Sequence, residues 1–72
     1  MAESVYKVIE LVGTSSEGWE QAVSAAVARA SQSLRDLRIA EVSELDVQIE
    51  NGAVTAYRAK IKVSFKYSAG DN

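Results

Sequence analysis

Seventy-two residues, 47% hydrophobic and 25% charged with a formal net charge of −2, predict one small domain, 1–72, near the size at which a single core barely suffices and association commonly helps. The chain has no Cys and no His, which rules out disulfides and thiolate sites and removes the usual general base and transition-metal ligand. The acidic balance argues against a nucleic-acid partner, and without an apolar run of about 18 residues or a leader-like start the chain predicts no membrane span and a cytoplasmic location.

Ser4–Val12 (SVYKVIELV) is rich in β-branched residues and apolar on both faces, which predicts a first strand that is central in the sheet or covered on both sides. Gly13 ends it. Thr14-Ser15-Ser16-Glu17 matches a capping box, with Thr14 capping and Glu17 reaching back, so a helix is predicted over Ser16–Asp36. Trp19, Val23, Ala26, Val27, Ala30, Leu34 and Leu37 recur at three- and four-residue steps and form one apolar stripe. Trp19 then reads as core at the helix N-terminus rather than as a stacking platform. Leu37-Arg38 leaves almost no loop before the next element.

Arg38–Tyr67 reads as one long hairpin. Asn51-Gly52 between two alternating runs is the signal for a two-residue type I′ turn, because both central residues need positive φ. With a constant register from that turn, Ala40 and Val42 lie beside Val63 and Ile61, Glu41 faces Lys62 and Ser43 faces Lys60. Towards the tip, Val47, Ile49, Val54 and Ala56 fall on the Glu41/Lys62 face, with Glu44 and Asp46 on the other. The run from Ala53 to Tyr67 extends roughly 50 Å, more than a domain of this size is wide. The tip therefore leaves its own core, covered either by another copy of the chain or by bending back on its own helix. The polar tail, Ser68–Asn72, is expected to fray.

The order β-α-β-β predicts an α+β fold: a three-stranded antiparallel sheet with one helix packed on one face, over Ile61 and Val63. The open face then carries Glu41, Ser43, Arg58, Lys60, Lys62 and Ser64. Glu41–Lys62 is either a cross-strand ion pair worth a few tenths of a kcal/mol or part of a charged interior wall. Glu44 and Asp46 are solvated, paired between subunits, or cation ligands, since carboxylates from converging chains can hold Ca²⁺. Three cations against one anion on the open face predict a bound anion there, or Arg58 paired with Asp46 or Glu44 of another subunit. No Ser-His-Asp set, phosphate-cradling Gly loop or metal-ligand cluster is present, so the chain does not read as an enzyme.

With VYKVIELVGTSSEGWEQAV, ARASQSLRDL, the Asn-Gly hairpin and AYRAKIKVSFKY in view, the chain resembles the dodecin family over nearly its whole length. Val12-Gly13-Thr14-Ser15 and the K-V-x-F ending at Lys62–Phe65 are the more specific motifs. The resemblance implies a hollow homododecamer, helices outside and sheets inward, that stores or buffers flavins (riboflavin or FMN) stacked in pairs at two-fold interfaces. The family's stacking tryptophan corresponds to Ile39 and its ring-bonding glutamine to Arg58; basic positions that contact a phosphate in some members correspond to Asp46, charge reversed, and Lys66, charge kept. The ligand-binding set carried over is Ile39, Glu41, Arg58, Lys60 and Lys66, with Glu44 and Asp46 for a metal. Loss of an aromatic partner removes roughly 1–3 kcal/mol per stacked ring. The resemblance thus implies weak or lost flavin binding in a small-ligand storage protein, nearest the calcium-binding dodecins, with Ca²⁺ as the alternative cofactor. A working flavin-sequestering protein and a purely structural shell are the other readings. Expected partners are further copies of the chain and a small molecule, with neither nucleic acid nor membrane.

Overall fold

A computed structural model describes residues 3–66. The chain forms β1 (Tyr6–Ser15), α1 (Trp19–Ala30), β2 (Leu37–Glu50) and β3 (Ala53–Lys66). The sheet order is β1-β3-β2, and both pairings are antiparallel. The first strand is therefore neither central nor covered on both sides: it lies at an edge, with Tyr6, Val8 and Val12 exposed on the face away from the helix. This is the expected β-α-β-β, α+β architecture. Because β1 and β2 both run against β3, they are parallel to each other and need a long crossover, which α1 supplies. Among the described residues, no helix is long and apolar enough to cross a membrane.

The core is small and rich in alanine. Ala22, Ala26, Ala59, Ile61 and Val63 form its buried cluster, with Ile9, Leu11, Val23, Val27 and Leu37 packed around them. The centre of the helix stripe is therefore Ala22-Ala26-Ala30, one step round from the bulkier residues the spacing favoured. Gly13 explains the shift. A Cβ there would collide with the Ala22 carbonyl oxygen and lie 3.0 Å from the Ala26 Cβ, so the helix backbone rests directly on the sheet and only small side chains fit between.

Gly13 consequently does not end the first strand, which runs on to Ser15 instead of stopping at Val12. Thr14 lies inside it, opposite Arg58, and the expected capping box does not form. Gly18 occupies the N-cap with extended backbone and no side-chain cap hydrogen bond; the Glu17 amide instead donates to Ser15 Oγ at 3.0 Å. The helix is also shorter than Ser16–Asp36. Turns continue from Ala30 through the Leu34 N–H to Ala30 carbonyl bond of 2.9 Å. Asp36 then reverses the chain at φ 58°, a left-handed conformation that Asp tolerates better than most residues. Serines at 31 and 33 compete with the helix backbone for hydrogen bonds, and Ser31 Oγ does donate to the Ala28 carbonyl at 2.8 Å.

Asn51 (φ 53°) and Gly52 (φ 78°) form the expected turn. The register beyond it is not constant. Glu50 faces Ala53 and Ile49 faces Val54, but Gln48 faces Ala56, Asp46 faces Arg58 and Glu44 faces Lys60 before Val42 returns to Ile61. Thr55 and Ser43 are the extra residues of two compensating bulges, and a third shift, between Leu37 and Ile39, lies at the base of the hairpin. Each hydroxyl bonds across to the partner strand: Ser43 Oγ donates to the Lys60 carbonyl at 3.1 Å and Thr55 Oγ1 to the Gln48 carbonyl at 3.3 Å. Ser43 thus does not face Lys60, as a constant register required. A constant register would set Asp46 against Tyr57 and Leu45 against Arg58; the bulged one matches apolar with apolar and acid with base. The expected changeover of the apolar side disappears with it. Leu45 and Val47 lie on the helix side with Ala59 and Tyr57, and alternation carries Ile49 and Val54 there too.

The hairpin does not bend back. The molecule measures 55 × 20 × 14 Å with a radius of gyration of 14.8 Å, against about 11 Å for a compact chain of this length. The helix lies over β1 and β3 and barely reaches β2, so Val42, Leu45, Ile49 and Val54 remain exposed on the helix side, Ile49 at 62%. Tyr67 and the tail fall outside the described residues.

Gly13→Ala should lower stability by about 1–3 kcal/mol, the range for overpacking a close contact. An unchanged chemical-denaturation midpoint would show that the helix can lift away from the strand without cost.

Candidate functional site

The face away from the helix is a set of cross-strand rows centred on β3. Opposed residues share a face, so the pairings give Val8–Ser64–Ile39, Glu10–Lys62–Glu41, Val12–Lys60–Glu44 and Thr14–Arg58–Asp46, each from β1 through β3 to β2. One end of the face is apolar and the other is charged. Tyr6, Val8 and Ile39 are exposed at the apolar end, Ile39 at 67%, with Lys66 opposite Tyr6.

The charged end is held by direct ion pairs. Arg58 Nε and Nη2 donate to Asp46 Oδ1 and Oδ2 at 2.7 and 2.9 Å, a bidentate arrangement that fits the planar guanidinium to a carboxylate. Lys60 Nζ lies 3.5 Å from Glu44 Oε1. The hydrogen bonds from Arg58 hold the Asp46 carboxyl below its ordinary value; they outweigh the opposing desolvation, and the charges of Arg58 and Lys60 add to the lowering. The Arg58 guanidinium is raised in turn by the same bonds and charge.

Asp46 is also fixed from its backbone. Trp19 Nε1 donates to the Asp46 carbonyl at 3.0 Å, and the indole meets the Tyr57 ring edge-on at 5.1 Å and 77°. Trp19 remains 39% exposed and is not the core residue the helix stripe implied. It ties the helix N-terminus to the hairpin where β2 leaves the helix's cover.

The bulge at Ser43 overturns two expectations. Glu44 and Asp46 do not lie on the face opposite Arg58 and Lys60; they are their direct partners. The excess of cation also vanishes, since Glu10, Glu41, Glu44 and Asp46 share the face with Arg58, Lys60, Lys62 and Lys66. Glu10 went unrecognised because a strand apolar on both faces gives no register against β3. Ile39 and Arg58 do share the open face. Ile39 pairs with Ser64, six residues from Arg58 on β3 and about 20 Å along the strand, so one small ligand does not reach both within a single chain.

Among the described residues, no group of three or more His, Cys, Asp or Glu side chains gathers as a metal site. Glu44 and Asp46 each already face a cation of their own chain. A shallow groove of about 130 Å³ between helix and β2, lined by Val27, Leu37, Ala40 and Val63, is smaller than the few hundred Å³ that organic ligands occupy.

The sequence profile described as Dodecin matches residues 5–68. The calcium dodecin of Mycobacterium tuberculosis is 49% identical over 63 residues, 88% of this chain and 89% of that protein. Its crystal structure, described as that of a calcium-chelating antigen with a calcium-binding site, superposes with a TM-score of 0.81 over 96% of this chain and 99% of that one, at 46% identity. The dodecin of Thermus thermophilus is 47% identical over 62 residues, 86% of this chain and 90% of that protein. The dodecin structure from Streptomyces coelicolor matches at 44% identity and a TM-score of 0.88, covering 94% of this chain and 97% of that one.

Because Asp46 is lowered from its ordinary value of 3.8, its pairing stabilises the fold above that pH and is lost as pH falls through the lowered value. Asp46→Asn should therefore be less stable than the parent at neutral pH, with the difference closing below about pH 4. Unfolding curves for the two proteins that differ equally at pH 7 and pH 2.5 would remove the ion pair as the cause.

Proposed function

The chain belongs to the dodecin family, and on that premise we propose that it is a non-catalytic small-ligand binding and storage protein, working as a hollow homododecamer that holds riboflavin or FMN weakly or not at all. The observation that carries this reading is Ile39, an aliphatic side chain 67% exposed at the position where the family resemblance puts the stacking tryptophan. Arg58, at the ring-bonding position, is already engaged by Asp46. The roughly 20 Å between the two positions means that a site using both takes them from different copies.

Assembly is supported by the exposed helix-side apolar residues of the hairpin, Val42, Leu45, Ile49 and Val54. A chain with so small a core gains most by covering them with another copy. Ca²⁺ at Glu44 and Asp46 is the second reading, supported by the similarity to calcium dodecin. Since those carboxylates face Lys60 and Arg58, a cation there needs further oxygen ligands from other copies or a break in both pairs.

Native mass spectrometry of protein purified from cells tests assembly and cargo together; twelve subunits are expected, and a stable monomer would sink the reading. Ile49→Asp should break the assembly, because a carboxylate buried without a partner costs several kcal/mol per copy. For the flavin, fluorescence quenching titrations should show Ile39→Trp/Arg58→Gln binding riboflavin at least about tenfold more tightly than the parent, the worth of roughly one stacked ring. Submicromolar quenching by the parent chain would refute the loss of flavin binding.

A further inference from the structure

Arg58 is built into its pair more firmly than the other cations of the open face. The bulge at Ser43 turns Asp46 onto that face. The Trp19 indole holds the Asp46 carbonyl, and the carboxylate closes the Nε–Nη2 edge of the guanidinium with two short bonds. The neighbouring row repeats the sign pattern, with Glu44 beside Lys60. An anion approaching Arg58 meets a guanidinium whose side-on fork is filled and whose charge is balanced by a carboxylate in contact with it. Phosphate and carboxylate groups are recognised by such two-donor edges, of which Asp46 occupies one while its charge opposes an anion at the other.

We infer that Asp46 sets the charge selectivity of the open face, withholding Arg58 from phosphate- and carboxylate-bearing molecules so that this face accepts uncharged small molecules in preference to their phosphorylated forms. The inference rests on the reading of this face as a ligand surface. Its mechanism is competition between an intramolecular acid and an external anion for one guanidinium. Removing the acid's charge while keeping its shape and its backbone carbonyl should convert Arg58 into an anion site.

The experiment is isothermal titration of inorganic phosphate, at constant ionic strength, into the full-length assembly of the parent, Asp46→Asn and Asp46→Asn/Arg58→Gln. Asp46→Asn should bind phosphate at least about tenfold more tightly than the parent, the worth of one charge-assisted contact, and the double variant should fall back to the parent. Equal phosphate affinity in the parent and Asp46→Asn overturns the inference. A gain that survives in the double variant also overturns it, by assigning the anion to Lys60. Trp19 fluorescence reports whether Asp46→Asn keeps the local fold; if it does not, Asp46→Ser, which retains the same carbonyl, takes its place with the same expected gain and the same two refuting outcomes. Phosphate binding at Arg58 needs neither flavin nor Ile39. A negative result therefore removes the selectivity and leaves the ligand-binding reading intact, while a chain that binds no organic molecule sinks that reading without altering the phosphate result.

Discussion

The contact between Gly13 and the Ala22 backbone governs the molecule. With no side chain at Gly13, the helix sinks onto β1 there, and the contact admits only Ala22 and Ala26 from the helix, with Ala59, Ile61 and Val63 of β3 completing the core. The 12-residue helix lies over two strands and leaves most of the third uncovered. The hairpin therefore carries its apolar side out past the helix, and a chain of this length ends up 55 Å long. A larger residue at Gly13 would raise the helix and thicken the core, but at the expense of the contact that locates it. The elongated shape follows from the two 14-residue strands of the hairpin, and the close contact at Gly13 locates the helix at one end of it.

Two bulges then decide what each face of the hairpin is. Between them, the register moves by one residue, and every acid on β2 from Glu44 to Asp46 comes opposite a base on β3. The same shift sends Leu45 and Val47 to the side of Ala59 and Tyr57. Charge matching and apolar matching are satisfied by one displacement, which is why the bulged arrangement wins over the straight one despite the ladder bonds it interrupts. The Ser43 and Thr55 hydroxyls bond to carbonyls across the strand and offset part of that loss.

The order of elements, the antiparallel sheet, the type I′ turn and the length of the hairpin were all legible in the sequence, because period-two patterning and Asn51-Gly52 are local signals. The bulges were not. Ser43 and Thr55 look like ordinary strand residues, and only the mutual fit of Asp46 with Arg58 and Val47 with Tyr57 reveals the shift. That fit was readable in principle, by asking which register pairs opposite charges. Thr14 misled in the other direction: Thr14 to Glu17 has the letters of a capping box, but pairing with Arg58 keeps Thr14 in the strand. Ile39 and Arg58 were placed on the right face. Their distance apart is set by the register, and with it the conclusion that no single chain completes a ligand site from both.

The paired bulges also determine how this hairpin tolerates changes in its own length. Excising Ser43 would remove the extra residue and leave Val42 opposite Ile61 and Glu44 opposite Lys60, with every side chain facing as before; excising Thr55 would do the same on the other strand. A residue lost from Glu44 to Gln48 is absorbed only if a neighbouring bulge straightens, which inverts the facing of the residues between that bulge and the deletion. Between the turn and Val42 the hairpin therefore has two positions, set on opposite strands, at which a residue can be lost without changing how its neighbours face. Deletions among divergent sequences of this fold should collect at those two points and avoid the stretch between them.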